Sequence, residues 1–149
     1  MDEYFMKIAL NEAYKAYSIG EVPVGALIIN DRKVIATGYN MKETLKDPTA
    51  HAEIIAIKKA SEVLGGWRLI GCTMYVTIEP CAMCAGAIVN SRIERLVIGA
   101  KDPKMGACGS TVNIVQNEDF NHRADITWGT MEDECSEIMK VFFRKLRNK

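Results

Sequence analysis

Near the start of the chain Phe5, Ile8, Ala9, Ala13 and Ala16 recur at spacings of three and four with polar residues between them, which predicts an amphipathic helix over residues 2–18. Gly20 ends it. Residues 24–29 are a dense β-branched run, Asn30-Asp31-Arg32-Lys33 is a polar turn, and 34–39 returns to strand-like residues. That order predicts a β-hairpin whose far end is Asn40. A second helix is expected over 50–64, with Ile54, Ile57, Lys58 and Ser61 at helical spacing and Gly65-Gly66 as its stop. Residues 74–78 read as a short buried strand, and Glu79-Pro80 opens a helix carried by 81–90, since proline fits a first turn where no amide partner is required. A buried strand over 96–98, an ordered loop over 101–110 (KDPKMGACGS) and a strand over 126–128 follow. The last helix runs from 132 to about 146, acidic in its first half and basic in its second, an order that complements the helix dipole. Strands alternating with helices predict a three-layer α/β/α sandwich around a mixed sheet of about five strands, with an antiparallel hairpin first and parallel crossovers later.

Composition narrows the class. The 149 residues carry 19 basic and 19 acidic side chains, with 48% hydrophobic and 7% aromatic residues, the balance of a single globular domain over 1–149. A chain of this length buries roughly 68–70% of its unfolded surface and needs no metal merely to fold, so any metal requires another reason. A net charge of 0 excludes a globally basic nucleic-acid coat and leaves room for a local basic patch. No stretch approaches the ~20 apolar residues of a membrane span. The N-terminus lacks the basic-then-apolar order of a secretory signal, so a cytoplasmic protein is expected. The five cysteines fit, being odd in number and including a Cys81-x-x-Cys84 pair, which suits reduced thiols or metal ligands better than a disulfide framework. Cys72, Cys108 and Cys135 are expected to be small buried or partly buried residues.

Chemistry concentrates in two motifs about thirty residues apart, His51-Ala52-Glu53 and Pro80-Cys81-Ala82-Met83-Cys84. One imidazole and two thiols suit zinc, and three protein ligands leave the fourth tetrahedral position for water, the arrangement of a catalytic site. On a helix, positions i and i+3 share a face, and the positive end of the dipole favours the thiolates that bind metal. A Cys-x-x-Cys alone also fits redox chemistry, from which the preceding proline points away. His51 and Glu53, two residues apart, cannot share a face in mid-helix. An irregular helix entry after Asp47-Pro48-Thr49 would aim His51 at the metal and let Glu53 reach the bound water from the side, as the proton shuttle. Alone, Glu53 would read as a solvated first-turn carboxylate. His122, the only other histidine, is expected to be structural or a loop contact, because a fourth ligand would close the site.

H-x-E with P-C-x-x-C is the zinc deaminase signature. Nearly the whole chain resembles the tRNA-specific adenosine deaminase family, which forms inosine at the wobble position of an anticodon. The matching stretches include Glu21-Val22-Pro23-Val24-Gly25-Ala26, Asp47 through Ile54, the run EPCAMCAGAI from Glu79, Gly99-Ala100-Lys101-Asp102, Asn121-His122-Arg123, Asp133-Glu134-Cys135 and Phe142-Phe143-Arg144. The resemblance implies a cytidine-deaminase-like fold, a homodimer, one catalytic zinc per subunit and a tRNA anticodon stem-loop whose adenosine is flipped into the pocket. By position it implies His51, Cys81 and Cys84 as zinc ligands, Glu53 as acid and base, Asn40 hydrogen-bonding the adenine and Val22 lining the pocket. It further implies Asp102 and Asn121 contacting the flipped nucleotide or its neighbours, and Phe143, Arg144 and Arg147 engaging flanking nucleotides. Cys108 departs from the alanine common at its place in the family and adds a thiol near the loop.

Two of these positions have independent support and a plainer alternative. An amide that donates and accepts suits a base, although Asn40 also reads as a turn asparagine. From Lys140 to the C-terminus five basic side chains and no acidic one accompany Phe142-Phe143. Phosphate neutralisation and base stacking want that combination, and so does a solvated helix end with core aromatics. Two other functions compete: a zinc deaminase of a free base or nucleoside such as guanine or cytidine, which needs no basic tail, and a non-catalytic zinc-stabilised RNA-binding domain, which has no use for Glu53.

Overall fold

The computed structural model describes residues 1–148. Helix α1 (Asp2–Ser18) precedes the hairpin β1 (Gly25–Asn30) and β2 (Lys33–Tyr39). Then come α2 (Ala52–Leu64), β3 (Cys72–Ile78), α3 (Ala82–Asn90), β4 (Arg95–Ala100), β5 (Asp125–Trp128) and α4 (Glu132–Arg147). The five strands make one mixed sheet in the order β2-β1-β3-β4-β5. β1 is antiparallel to both β2 and β3, whereas β3, β4 and β5 are parallel.

Side chains alternate across this sheet as the two-residue period of a strand demands. Ile28, Met74, Val76, Leu96 and Ile98 face α2 and α3, while Leu27, Tyr75 and Val97 face α1 and α4. Both faces are covered, which accounts for strands read as continuous apolar runs. Asp2 ties the start of α1 to the sheet. It accepts hydrogen bonds from both terminal nitrogens of Arg95 and from the Tyr75 hydroxyl at 2.6–3.1 Å, and Arg95 also donates to Thr127 at 3.0 Å.

Several expected boundaries shift for identifiable reasons. The hairpin turn is only Asp31-Arg32, both left-handed at φ 52° and 62°, because that turn matches the twist of its strands. The second helix begins at Ala52 with His51 as its N-cap, and the third begins at Ala82 with Cys81 as its N-cap, so Pro80 lies outside the helix. On α2 the buried stripe is Ala52, Ala56 and Ala60, and the isoleucines stay half-buried. Gly38 shows why small residues win there: a Cβ on it would stand 2.5 Å from the Ala52 carbonyl oxygen, so α2 lies directly on β2 and its N-terminus is fixed in place.

This packing sets where chemistry can occur. β2 runs in the same direction as β3, β4 and β5, so these strands end on one edge of the sheet. The N-termini of α2 and α3, which follow β2 and β3, open at that edge. In open α/β sheets it is the edge that binds ligands.

Candidate metal centre and pocket

His51 and Cys81 are both helix N-caps in extended backbone conformation, with ψ of 155° and 177°. An extended residue before a helix points its side chain off the helix axis, which frees His51 from the face of its neighbour Glu53. The imidazole Nδ1 lies 3.6 Å from the Cys81 sulfur and 3.5 Å from the Cys84 sulfur. All three donor atoms lie within 4.8 Å of one another. A tetrahedral zinc with metal–nitrogen distances of about 2.0–2.1 Å and metal–sulfur distances of about 2.3 Å would space nitrogen and sulfur about 3.5 Å apart. Donor chemistry and spacing therefore both fit that ion. The bond from the Cys84 thiol holds the Cys81 sulfur well below the usual thiol range against the effect of burial, with His51 adding to it. The same bond, with burial, pushes Cys84 up.

Glu53, in the first turn of α2, is 3% exposed. Burial pushes its carboxyl up to about 7, as expected of a carboxylate taken out of water. It stands with His51 and Cys81 in the wall of a cavity of about 1000 Å³. Val22 and Asn40 form another part of that wall. Asn40 is 8% exposed, and its amide is oriented by the backbone: Nδ2 donates to the Val22 carbonyl and Oδ1 accepts from the Lys42 N–H, each at 3.2 Å. It is thus a turn asparagine and also a pocket residue, with one N–H and one lone pair left over.

Two buried carboxylates hold the loops around the mouth. Glu21 accepts from the Glu43 N–H at 3.1 Å and from the N–H and hydroxyl of Thr44, both at 2.6 Å. Glu79 accepts from the N–H groups of Asp102, Cys108 and Ser110 at 3.0–3.1 Å and from the Ser110 hydroxyl. Gly106 lets that loop fold over it, since a Cβ there would fall 2.3 Å from the Glu79 carboxyl carbon. In both, these hydrogen bonds outweigh burial and keep the carboxyl below its usual value.

Asp102 also lines the cavity, but its Oδ1 already accepts from the N–H groups of Lys104 and Met105. Phe143, Arg144 and Arg147 reach the mouth from the last turns of α4, and Phe143 is 38% exposed. Asn121 is not brought to this cavity. It is exposed in the loop before β5, beside His122, whose Nε2 bonds the Ile93 carbonyl at 2.7 Å and is structural. Cys72, Cys108 and Cys135 are all buried, so the thiol of Cys108 is sealed rather than presented to the loop surface. Sequence reasoning missed Lys42, Lys101 and Lys104 at the mouth. Their signal was position, two residues after Asn40 and either side of Asp102, and isolated lysines carry no pattern of their own. Glu79 stands in its motif only as part of a helix opening, and its grip on the loop becomes visible once that loop is folded.

The chain matches the family model of MafB19-like deaminases over residues 1–147. It is 49% identical to the tRNA-specific adenosine deaminase of Bacillus subtilis (strain 168), across 99% of this chain and 92% of that protein. Identity to the tRNA-specific adenosine deaminase of Aquifex aeolicus (strain VF5) is also 49%, across 98% and 96%. A solved structure from biochemical and structural studies of A-to-I editing by tRNA:A34 deaminases at the wobble position of transfer RNA superposes with a TM-score of 0.88. It shares 47% identity and covers 91% of this chain and 98% of its own.

Proposed function

The chain belongs to the tRNA-specific adenosine deaminases and matches the MafB19-like deaminase family, and from that premise we propose that it converts the wobble adenosine of a tRNA anticodon to inosine. The observation that carries this reading is the convergence of His51, Cys81 and Cys84 beside a buried Glu53, in a cavity of about 1000 Å³ whose mouth is lined by lysines and arginines. Zinc is the ion these residues would hold, and when bound it supplies a water activated at neutral pH.

The rest is done by side chains. Asn40, held by Val22 and Lys42, offers its free N–H and lone pair to the adenine edge. Glu53 takes one proton of the attacking water and delivers it to N1 of the ring as C6 is attacked, then carries the proton of the new C6 hydroxyl to the departing amine, so that water and adenosine become inosine and ammonia. Cations at the mouth neutralise the phosphates on either side of the extruded nucleotide. A cytoplasmic location is part of the same proposal, resting on the likeness to bacterial tRNA-specific deaminases; among the described residues no helix is long and apolar enough to cross a membrane.

A homodimer is part of the proposal. Its support is that apolar residues of α2 and α3, Ile54, Ile57, Met83 and Ala87, remain partly exposed. Sedimentation should give twice the monomer mass at micromolar concentration, and a monomer there would remove this part.

The decisive experiment compares an anticodon stem-loop carrying the wobble adenosine with free adenosine, cytidine and guanine. Inosine in the stem-loop, with the free compounds unchanged, is expected. Turnover of a free base or nucleoside with an inert stem-loop would overturn the reading. Glu53→Ala should keep metal and fold while turnover falls to background.

A further inference from the structure

The last residue of β5, Trp128, is 38% exposed at the open edge of the sheet. The core makes little use of it, because Ile126, two residues earlier on the same face, is the residue of β5 that packs against the core. Trp128 is paired with Ile98 of β4, which points to the α2 and α3 face, so the indole stands on that face at the same edge as the pocket. Its ring backs the 101–110 loop: a Cβ on Gly109 would lie 3.3 Å from it. Lys101, which lines the pocket, holds its ammonium 5.3 Å from the ring centroid.

Phe143 and Arg144 also line the pocket, from the helix that covers the other face of the sheet. One aromatic ring beside a cation, Phe143 with Arg144, thus lines the mouth itself, and a second, Trp128, lies behind the 101–110 loop and is joined to the mouth by Lys101. When a nucleotide is extruded from a loop, the bases before and after it lose a stacking partner, and an aromatic ring recovers that contact for any base. One ring serves one neighbour only. We propose that Trp128, with Lys101 over it, is a second base-stacking platform that takes a loop nucleotide beyond Lys101, with Lys101 neutralising the phosphate between that nucleotide and the adenosine. This rests on the anticodon reading, and it draws on continuity with the pocket and on charge complementary to a phosphate strand.

The test uses the full chain with its metal and an anticodon stem-loop as probe. In a Trp67→Phe background Trp128 is the only tryptophan. Its emission should be quenched as the stem-loop saturates the protein, because stacked bases quench indole. Trp128→Ala should raise KM for the stem-loop about tenfold with a much smaller change in kcat, and Trp128→Phe should restore most of the difference. Lys101→Met should reduce the slope of log affinity against log salt by about 1, whereas Trp128→Ala leaves that slope unchanged. Unquenched emission at saturation, together with an unaltered KM in Trp128→Ala, would overturn the proposal. So would emission that shifts with protein concentration in the absence of RNA, which would mean that a second copy of the chain covers the indole. A wild-type protein inert on every stem-loop defeats the anticodon reading itself, and is distinguishable because the Trp128 comparisons begin from measurable inosine formation.

Discussion

At the scale of single residues, the buried carboxylates outside the reaction make the sharpest predictions. Glu79 meets only donors, so the isosteric Glu79→Gln turns an NH₂ group toward N–H groups that need an acceptor. Leaving a buried N–H donor without its acceptor costs about 1–3 kcal/mol, to be read from the denaturation midpoint. Cys108, by contrast, is expected to be silent. Burial pushes its thiol far up, so thiol reagents should leave it unmodified until the protein unfolds, and Cys108→Ala should preserve activity. The His51 and Cys-x-x-Cys spacing was legible in the chain because metal ligands are few in kind and tightly spaced. The roles of Glu21 and Glu79 were not, because each grips backbone atoms more than twenty residues away and no local pattern records that.

Elements explain how those residues are aimed. Gly38 and the alanine stripe let α2 press onto β2. Gly38→Ala should therefore cost about 1–3 kcal/mol in stability and also weaken metal binding, since the helix it displaces carries His51 at its cap; competition with a chelator would report the second effect. Hydrophobic period placed every strand and helix to within a few residues, yet it chose the isoleucine side of α2 over the alanine side. Periodicity measures apolarity, whereas the close helix-to-sheet approach is decided by volume. Caps escaped for a related reason: neither His51 nor Cys81 is an ordinary N-cap residue, and ligand geometry rather than capping preference puts them there. The Asp2–Arg95 contact joins another pair of elements and predicts a pH effect. The Arg95 guanidinium holds the Asp2 carboxyl below its ordinary value. Its contribution is therefore complete above the unfolded value and lost as pH falls through the lowered folded value. Asp2→Asn should lower the denaturation midpoint near neutrality and converge with wild type in strong acid.

For the whole molecule, a net charge of zero conceals a local asymmetry, with arginines and lysines drawn to the pocket edge while α4 begins with Glu132, Asp133 and Glu134. RNA binding should accordingly weaken steeply with salt, and Arg144→Ala should reduce that slope by about 1, as followed by filter binding. Only Cys135 and Ile138 of α4 are buried, both in its first half, and beyond them the turns bearing Phe143 and Arg147 are held to the body by Phe142 and Lys145 against the Tyr17 ring of α1. The ligands, in contrast, sit where two helices meet the sheet. Warming should then fray the grip on nucleic acid while the ion is still firmly held, and amide exchange should count off that sequence from the chain's end inward.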